Sequence, residues 1–180
     1  MDKKELRKKY IEIRKNISEE DRKKQSDSMV KSIVELIGKN DFDSVFLYAP
    51  KEYEVDIIGV FDACKGIPVF FPRCEKDTMD FYKTDDLSKL KPGSFNVKEP
   101  DATCKVFEYK KDAKILMIVP GVAFDEKGYR IGYGKGFYDK YFSSHEEYDI
   151  YKVGVCFKEC FLKDVLHDDL DVKVDKTIVG

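Results

Sequence analysis

One segment limits the possible folds of this chain more than any other, because it joins an apolar run to a loop rich in glycine and then to an aromatic stretch. The apolar run, residues 114–119, is rich in branched residues and ends at Pro120-Gly121, which predicts a buried β-strand. Residues 137–142 carry aromatic side chains at helical spacing without a helix breaker, which predicts the start of a helix. A strand, a loop and a helix in this order are typical of an α/β sheet.

Strands and helices alternate along most of the remaining chain. Two helices are predicted at the N-terminus, one over residues 3–17 with an apolar stripe and charged residues elsewhere, and one beginning after Ser18, followed by a helix over 55–65. The other predicted strands are residues 44–49, 67–71, 79–83, 153–157 and 177–179. Pro72-Arg73 is expected to end the second of these at a corner, and residues 87–101 are expected to be irregular. This order predicts a mostly parallel mixed sheet with helices on both faces, in one domain covering residues 1–180.

Composition excludes several functional classes. The chain has 180 residues, with 33 basic and 35 acidic side chains and a net charge of −2, which argues against a general nucleic-acid-binding protein. No apolar run has the roughly 18 residues that a membrane span needs, and the N-terminus lacks an apolar signal region, so a cytoplasmic protein is expected. Five scattered cysteines without a CxxC pair, and only two histidines, argue against a zinc site and against a redox role.

The glycine-rich loop carries the main chemical signal. Arg130-Ile-Gly-Tyr-Gly-Lys-Gly-Phe-Tyr-Asp139 places glycines at alternate positions between an arginine and a carboxylate, with Lys135 among them. Exposed backbone N–H groups in such a loop, next to a helix start, form a concave anion site. The spacing differs from both the Walker pattern and GxGxxG. A polyphosphate site is the favoured interpretation, and a tight turn without function is the alternative.

Three further groups could contribute to such a site. Lys3 and Arg7 lie four residues apart, on one face of the first helix, and could reach phosphates or simply face solvent. Glu54 and Asp56 follow a predicted strand and could either cap a helix or bind the donor edge of a polar heterocycle. Aromatic residues near the pocket could stack on a flat ligand or belong to the core: Tyr48, Phe71 and Phe81.

A magnesium site is the third expectation. Asp139 together with Asp171 or Asp175 could hold Mg²⁺, which takes one or two protein carboxylates plus phosphate oxygens and water. The alternative is that the acidic segment 167–175 is solvated surface.

These features together resemble the 5-formyltetrahydrofolate cyclo-ligase family, also called methenyltetrahydrofolate synthetases, over essentially the whole chain. The most specific match is Pro120-Gly-Val-Ala-Phe-Asp-Glu-Lys-Gly-Tyr-Arg-Ile-Gly-Tyr-Gly-Lys-Gly-Phe-Tyr-Asp139. The supporting matches are Lys4-Glu-Leu-Arg7, Glu54-Val-Asp56, Pro72-Arg73, Glu99-Pro100 and Asp171-Val-Lys-Val-Asp175. The departures are a short segment after Glu54, Tyr129 before Arg130, a variable position at Tyr133 and Asp169-Leu170 where the family often has a histidine.

The resemblance implies a three-layer α/β/α sandwich and a monomeric enzyme. Its implied reaction is the ATP- and Mg²⁺-dependent conversion of 5-formyltetrahydrofolate to 5,10-methenyltetrahydrofolate, in which the formyl oxygen attacks the γ-phosphate and N10 then closes the ring. The rivals are another ATP-using activator of carboxylates or amides, a binding module without turnover, and a nucleic-acid-binding protein that uses the basic helix.

The resemblance also implies roles for individual residues. Catalysis falls to Lys135, Arg130 and Tyr133, with Lys135 stabilising charge on the transferred phosphoryl group. The residues implied to contact ATP are Lys3, Lys4, Arg7, Arg130, Gly132, Gly134, Lys135, Gly136, Phe137 and Tyr138. Those implied to contact the folate are Glu54, Arg73, Tyr133, Gly134, Lys135, Gly136 and Phe137. The implied Mg²⁺ ligands are Asp139 and Asp171.

Overall fold

A computed structural model describes residues 2–180 and contains four α-helices and eleven β-strands in that range. The helices are α1 (Lys3–Asn16), α2 (Glu19–Gly38), α3 (Gly59–Ala63) and α4 (Phe137–Ser144). Short 3-10 turns cover Leu87–Lys89, Ser94–Asn96 and Lys158–Cys160. The strands are β1 (Ser44–Phe46), β2 (Val69–Glu75), β3 (Thr78–Lys83), β4 (Leu90–Pro92), β5 (Lys98–Pro100), β6 (Lys114–Val119), β7 (Ala123–Asp125), β8 (Arg130–Ile131), β9 (Asp149–Cys156), β10 (Phe161–Leu162) and β11 (Lys176–Val179).

The main sheet has six strands in the order β11-β9-β6-β1-β2-β3. All neighbouring pairs are parallel except β2 and β3, which are antiparallel. Strand β6 has the predicted bounds and lies inside the sheet, where five of its six residues are buried. A continuous apolar run is therefore what this position requires, because both faces of the strand are covered.

Two buried clusters, one on each face of the sheet, produce three layers. Successive strand residues alternate between them, so Val45 packs in one cluster and Phe46 in the other. Helices α2 and α3 contribute to the first cluster, while α1 and α4 contribute Tyr10, Tyr141 and Phe142 to the second. The predicted three-layer α/β/α sandwich with a mostly parallel mixed sheet is confirmed. No helix within residues 2–180 combines the length and the apolar character needed to cross a bilayer.

The N-terminal helices form where the sequence predicts them. Asp2 caps α1 in a reciprocal capping box with Glu5, and Ser18 caps α2 by accepting a hydrogen bond from the backbone N–H of Asp21. Arg14 is one of the charged residues that the sequence places outside the apolar stripe of α1, yet it is buried. Its side chain is buried beneath the segment that follows β6, because it finds hydrogen-bond acceptors there.

Several expected boundaries in the first half of the chain are wrong, including that of β1, which ends at Phe46 and not at residue 49. Pro72-Arg73 does not form a corner, because β2 continues through both residues to Glu75 and pairs with β3. Pro72 is tolerated because the parallel pairing with β1 has already ended at Phe70, which leaves its missing N–H without a required partner on that side. The helix expected over 55–65 is shortened to α3, since the preceding residues form the turn that presents Glu54.

The region expected to be irregular, residues 87–101, contains the antiparallel hairpin of β4 and β5. Its tip includes Phe95 and Asn96, both in the left-handed backbone region. A second small sheet, in the order β10-β7-β8, was not expected at all. It occupies part of the segment between Pro120 and Asp139 and ends directly before the glycines.

Candidate active site

A cavity of about 410 Å³ lies beyond the carboxyl ends of β1 and β6, where ligands bind in sheets of this type. Four parts of the chain form its wall: the segment after β1, the β2–β3 pair, the tip of the β4–β5 hairpin and the glycine segment, here defined as residues 132–136, with its flanks. The lining residues are Tyr48, Ala49, Lys51, Glu54, Pro72, Cys74, Met79, Ser94, Phe95, Val97, Glu99, Pro120, Arg130, Gly132, Tyr133, Lys135, Gly136, Phe137, Tyr138 and Asp139.

The glycine segment connects β8 to the start of α4. Gly136 is the N-cap of that helix and has a left-handed conformation, without a side-chain cap on the first-turn N–H groups. These N–H groups are therefore free to bind an anion. Lys135 is exposed beside them and lines the cavity. The predicted order of strand, glycine loop and helix start is confirmed, with the β7–β8 hairpin inserted before the glycines.

The glycines at 134 and 132 serve different needs. Gly134 has a φ of +91°, and a Cβ at this position would lie 3.1 Å from Cζ of Arg7. Glycine is therefore required there by the fold of the protein itself. A Cβ at Gly132 would meet no atom within 4 Å, and its φ is not positive. The absence of a side chain at Gly132 is thus explained by space that a ligand could occupy, and not by packing.

Helix α1 supports the glycine segment from behind. The Nε of Arg7 donates a 2.7 Å hydrogen bond to the carbonyl oxygen of Gly132. Lys3 is half-buried and forms ion pairs with Asp168, at 2.7 Å, and with Asp171. Lys4 is exposed and does not line the cavity. The shared face predicted for Lys3 and Arg7 therefore turns toward the site, although neither side chain lines the cavity wall itself.

Arg130 and Asp139 form a fixed pair at the cavity wall. The Nη2 of Arg130 donates to Oδ1 of Asp139 at 2.8 Å, and its Nη1 donates to the carbonyl oxygen of Val172 at 2.7 Å. The backbone N–H of Val172 donates to the same Oδ1 at 3.0 Å. Within residues 2–180, no hydrogen bond uses the second oxygen of Asp139, which leaves it available to a ligand.

The two predicted metal ligands belong to neighbouring parts of the structure. Asp171 adjoins Val172 in sequence, and its Oδ2 accepts hydrogen bonds from Lys3 and from the backbone N–H of Asp168. Asp175 instead binds the backbone and side chain of Lys152 on β9. The structure therefore favours Asp171 over Asp175 as a partner for Asp139. Oxygen donors of this kind suit Mg²⁺, and residues 2–180 contain no cluster of three or more acidic, histidine or cysteine side chains that would complete a site without phosphate oxygens.

Glu54 marks the opposite end of the cavity. Its carboxylate is buried and accepts a 2.7 Å hydrogen bond from the backbone N–H of Lys51. Burial first, and the charge of Glu54 second, raise the pKa of three surrounding phenols, those of Tyr48, Tyr133 and Tyr138. These hydroxyls consequently keep their protons at neutral pH.

Two lysines of the cavity lie over aromatic rings. The Nζ of Lys51 is 4.6 Å from the ring centroid of Tyr133, and that of Lys135 is 5.3 Å from the centroid of Phe95. No carboxylate in residues 2–180 pairs with either ammonium group. Since a cation–π contact at an exposed site contributes only about 0.5–1 kcal/mol, an anionic ligand could recruit either lysine.

Several residues predicted from the sequence lie outside the cavity. Arg73 stacks on Tyr82 at 3.7 Å and reaches the carbonyl oxygen of Asp101 at 3.3 Å, so it holds the β4–β5 hairpin against the β2–β3 pair. Asp56 accepts a hydrogen bond from the backbone N–H of Ile58 just before α3, but α3 itself has no side-chain cap, so Asp56 does not cap this helix. Phe71 and Phe81 are core residues, whereas Tyr48 lines the cavity and donates its hydroxyl to the carbonyl oxygen of Val55.

Some residues of the cavity wall were not predicted from the sequence. Phe95 packs 5.6 Å from Phe137 at the hairpin tip, and buried Glu99 accepts hydrogen bonds from the backbones of Ser94 and Cys74. The turn signal Pro92-Gly93 could have indicated a hairpin, but nothing local indicated that its tip reaches the cavity. Burial and Glu99 raise the pKa of Cys74 to about 11, so this cavity thiol is not a nucleophile at neutral pH.

Comparison with known proteins relates this geometry to a family. The family model described as the 5-formyltetrahydrofolate cyclo-ligase family matches residues 1–180. A probable 5-formyltetrahydrofolate cyclo-ligase from Schizosaccharomyces pombe is 34% identical over 171 residues, covering 86% of this chain and 83% of that protein. A 5-formyltetrahydrofolate cyclo-ligase from Mus musculus is 28% identical and covers 90% of this chain and 85% of its own.

A solved structure agrees in fold and name. The NMR structure of the 5,10-methenyltetrahydrofolate synthetase from Aquifex aeolicus superimposes with a TM-score of 0.84 at 32% identity, covering 99% of this chain and 90% of that one. The full-length family match and this agreement lead to one conclusion. The chain belongs to the 5-formyltetrahydrofolate cyclo-ligase family of enzymes.

Proposed function

We propose that this enzyme uses ATP and Mg²⁺ to convert 5-formyltetrahydrofolate to 5,10-methenyltetrahydrofolate, with release of ADP and phosphate. The proposal rests on one observation, which is that a single cavity has two chemically different ends. The glycine segment, with Lys135, offers backbone N–H groups and positive charge. Glu54 offers a buried carboxylate. A polyphosphate suits the first end, and the donor edge of a pterin suits the second.

The bond changes in the proposed reaction are simple. The formyl oxygen attacks the γ-phosphate of ATP, the bond between that phosphorus and the bridging oxygen breaks, and ADP leaves. N10 then attacks the formyl carbon, loses its hydrogen as a proton, and expels the oxygen with the phosphate. Phosphorylation makes this step feasible, because it turns a poor leaving oxygen into a good one. The protein contributes positioning and charge stabilisation, as in other phosphoryl transfers.

The residues of the glycine segment are assigned to the nucleotide. In this proposal Lys135 leaves the ring of Phe95 and stabilises charge on the transferred phosphoryl group, because it is exposed and lacks a carboxylate partner in residues 2–180. Arg7 keeps Gly132 and Gly134 in place for close approach of the phosphates. Arg130, held by Asp139, orients that carboxylate. Lys3 and Lys4, at the start of α1, are also assigned to the nucleotide.

Mg²⁺, when bound, would neutralise phosphate charge and be held by Asp139 and Asp171. Asp139 has one oxygen outside the Arg130 pair, which supports its role. Asp171 shares its Oδ2 with Lys3, so ligation by this residue uses its other oxygen or separates it from Lys3. The monomeric state remains a prediction. The cytoplasmic location remains a prediction.

The test is the ultraviolet absorbance of the methenyl product after enzyme is mixed with 5-formyltetrahydrofolate and Mg-ATP. An increase that needs ATP and disappears with EDTA is the expected result. If ADP forms only with a different carboxylate or amide substrate, the enzyme is another ATP-using activator. Binding of both ligands without product would indicate a binding module and contradict the proposal.

A further inference from the structure

Arg14 on α1 carries a buried positive charge that the proposed reaction leaves unexplained. Only 3% of this residue is exposed, and its Nε has no hydrogen-bond partner within residues 2–180. Burial of a guanidinium with an unsatisfied N–H is unfavourable for stability. Stability alone therefore does not explain an arginine at this position of the helix.

The contacts of Arg14 join two points of the cavity-forming segment. Its Nη1 donates to the hydroxyl oxygen of Tyr133 at 3.0 Å, and its Nη2 donates to the carbonyl oxygen of Gly121. Gly121 precedes the β7–β8 hairpin and Tyr133 follows it. Arg14 does not line the cavity, so it contacts the wall from the side of α1.

The charges around Arg14 connect it with Glu54. Burial opposes its positive charge, yet Tyr133, Cys160 and Glu54 together keep the pKa of Arg14 above its ordinary value. Glu54 and Tyr133 line the same cavity, and the carboxylate adds to the effect of burial in raising the pKa of the Tyr133 hydroxyl. Because the guanidinium can only donate, the Tyr133 oxygen must accept from Arg14, which leaves the hydroxyl proton for an acceptor in the cavity that Glu54 also lines.

We propose that Arg14 is a positioning residue for folate binding, which acts through Tyr133. It holds the Tyr133 oxygen, directs the hydroxyl proton to Glu54 and balances the charge of that carboxylate from behind the cavity wall. The folate end of the site thus depends on a residue of α1 that never touches the substrate. This inference rests on the proposed function, because it assigns Glu54 to the folate.

The experiment compares steady-state kinetics of Arg14→Gln, Arg14→Lys and Tyr133→Phe with those of the unmodified enzyme. Arg14→Gln should raise KM for 5-formyltetrahydrofolate about tenfold, while KM for ATP changes less than about threefold. Arg14→Lys should recover part of the loss, since it keeps the charge and one donor. Gln25→Met is the matched control, because it removes a buried polar side chain that bonds Lys158 and Glu159 away from the cavity.

A double-mutant cycle separates a positioning role from a structural one. If Arg14 acts through Tyr133, adding Arg14→Gln to Tyr133→Phe should change KM for the folate less than about threefold further. A merely structural role would instead give the same additional loss in both backgrounds. It would also have one of two further effects. Either KM would rise for both substrates, or the fraction of active enzyme would fall while both KM values stay unchanged.

The outcomes distinguish this inference from the proposed function. An unmodified enzyme that forms no methenyl product contradicts the proposed function itself. An active enzyme in which Arg14→Lys and Tyr133→Phe match Gln25→Met in KM for the folate overturns the role of Arg14. Should Arg14→Gln fail to fold, those two variants decide the question, because each removes only part of the contact.

Discussion

The two ends of the cavity present different chemical groups to a ligand. At the glycine segment the groups that face a ligand are backbone N–H groups and an exposed ammonium, with no carboxylate bound to Lys135 within residues 2–180. At the other end, Glu54 is buried, and Tyr48, Tyr133 and Tyr138 line the cavity with it. The first end can adapt to an anion by moving a lysine, whereas the second is already arranged.

This difference indicates how substitutions should act. A change at the pre-arranged end removes a charged acceptor from a fixed position, where the lost hydrogen bond is worth more because water is excluded. A change at the glycine segment should act mainly on turnover, because in the proposed reaction charge develops there during phosphoryl transfer.

The largest effect is expected at the buried carboxylate. Glu54→Gln should lower kcat/KM for 5-formyltetrahydrofolate about 10- to 100-fold, in line with the roughly 1.5–3 kcal/mol of a charged hydrogen bond. KM for ATP should stay within about twofold. Steady-state kinetics with each substrate varied in turn would measure this. The matched control is Glu52→Gln, an exposed neighbour outside the cavity. Equal losses for both variants would contradict the assignment of Glu54 to the folate.

The next largest effect is expected at Lys135, the exposed lysine of the glycine segment. Lys135→Ala should lower kcat at saturating ATP by at least about tenfold, or roughly 1.4 kcal/mol in the barrier. Folding should be intact, because the side chain is exposed. Lys140→Ala, an exposed lysine on α4 outside the cavity, should leave kcat unchanged. If kcat is the same in both variants, Lys135 has no catalytic role.

A third change tests the packing that supports the glycine segment. Gly134→Ala should lower the free energy of unfolding by about 1–2 kcal/mol, because alanine at positive φ is strained. Contact with Arg7, 3.1 Å from the new Cβ, should add to the strain. Urea denaturation would measure the loss. Gly66→Ala separates the two causes, since Gly66 has a φ of +88° but no atom within 4 Å of a Cβ. Equal losses of unfolding free energy at both positions would show that the contact with Arg7 adds nothing to the strain.

The smallest effect lies at the far end of α4, remote from both cavity ends. His145 packs between Tyr109 and Tyr141, and burial lowers its pKa below the ordinary 6.5, although Glu147 and Asp80 act in the opposite direction. The unfolded chain then binds a proton more readily than the folded protein, so stability falls as pH drops below about 6.5.

The measurement is the urea midpoint at a series of pH values between neutral and mildly acidic. His145→Phe should reduce the acid-dependent part of the decrease, and turnover at neutral pH should remain that of the unmodified enzyme. A pH dependence identical in the two proteins would show that other groups cause the acid sensitivity.

Local sequence pattern was sufficient for the buried strands and for the glycine segment. Residues 114–119 form a strand with the predicted ends, because an apolar run between breakers has few other options in a sheet covered on both faces. The glycines could be singled out because their spacing and their charged neighbours are themselves a local signal. The layers followed from the alternation of elements.

Residues whose role depends on distant contacts could not be placed in this way. Arg14 looked like one more surface charge, since its acceptors at Gly121 and Tyr133 are more than 100 residues away in sequence. The resemblance implies that Arg73 contacts the folate, but Tyr82 and the β4–β5 hairpin hold its side chain outside the cavity. Strands of two or three residues, such as β8, are too short to show any periodicity.

The ion pair between Lys3 and Asp171 spans 168 positions of the chain. Contacts between such distant residues are slow to form, because a large loop must close before they gain any stability. The end of the cavity at the glycine segment combines α1 with the segment around Val172, so it can be completed only after both have reached the sheet. During refolding from denaturant, helical signal should therefore return before turnover, and chain compaction alone should not restore catalysis.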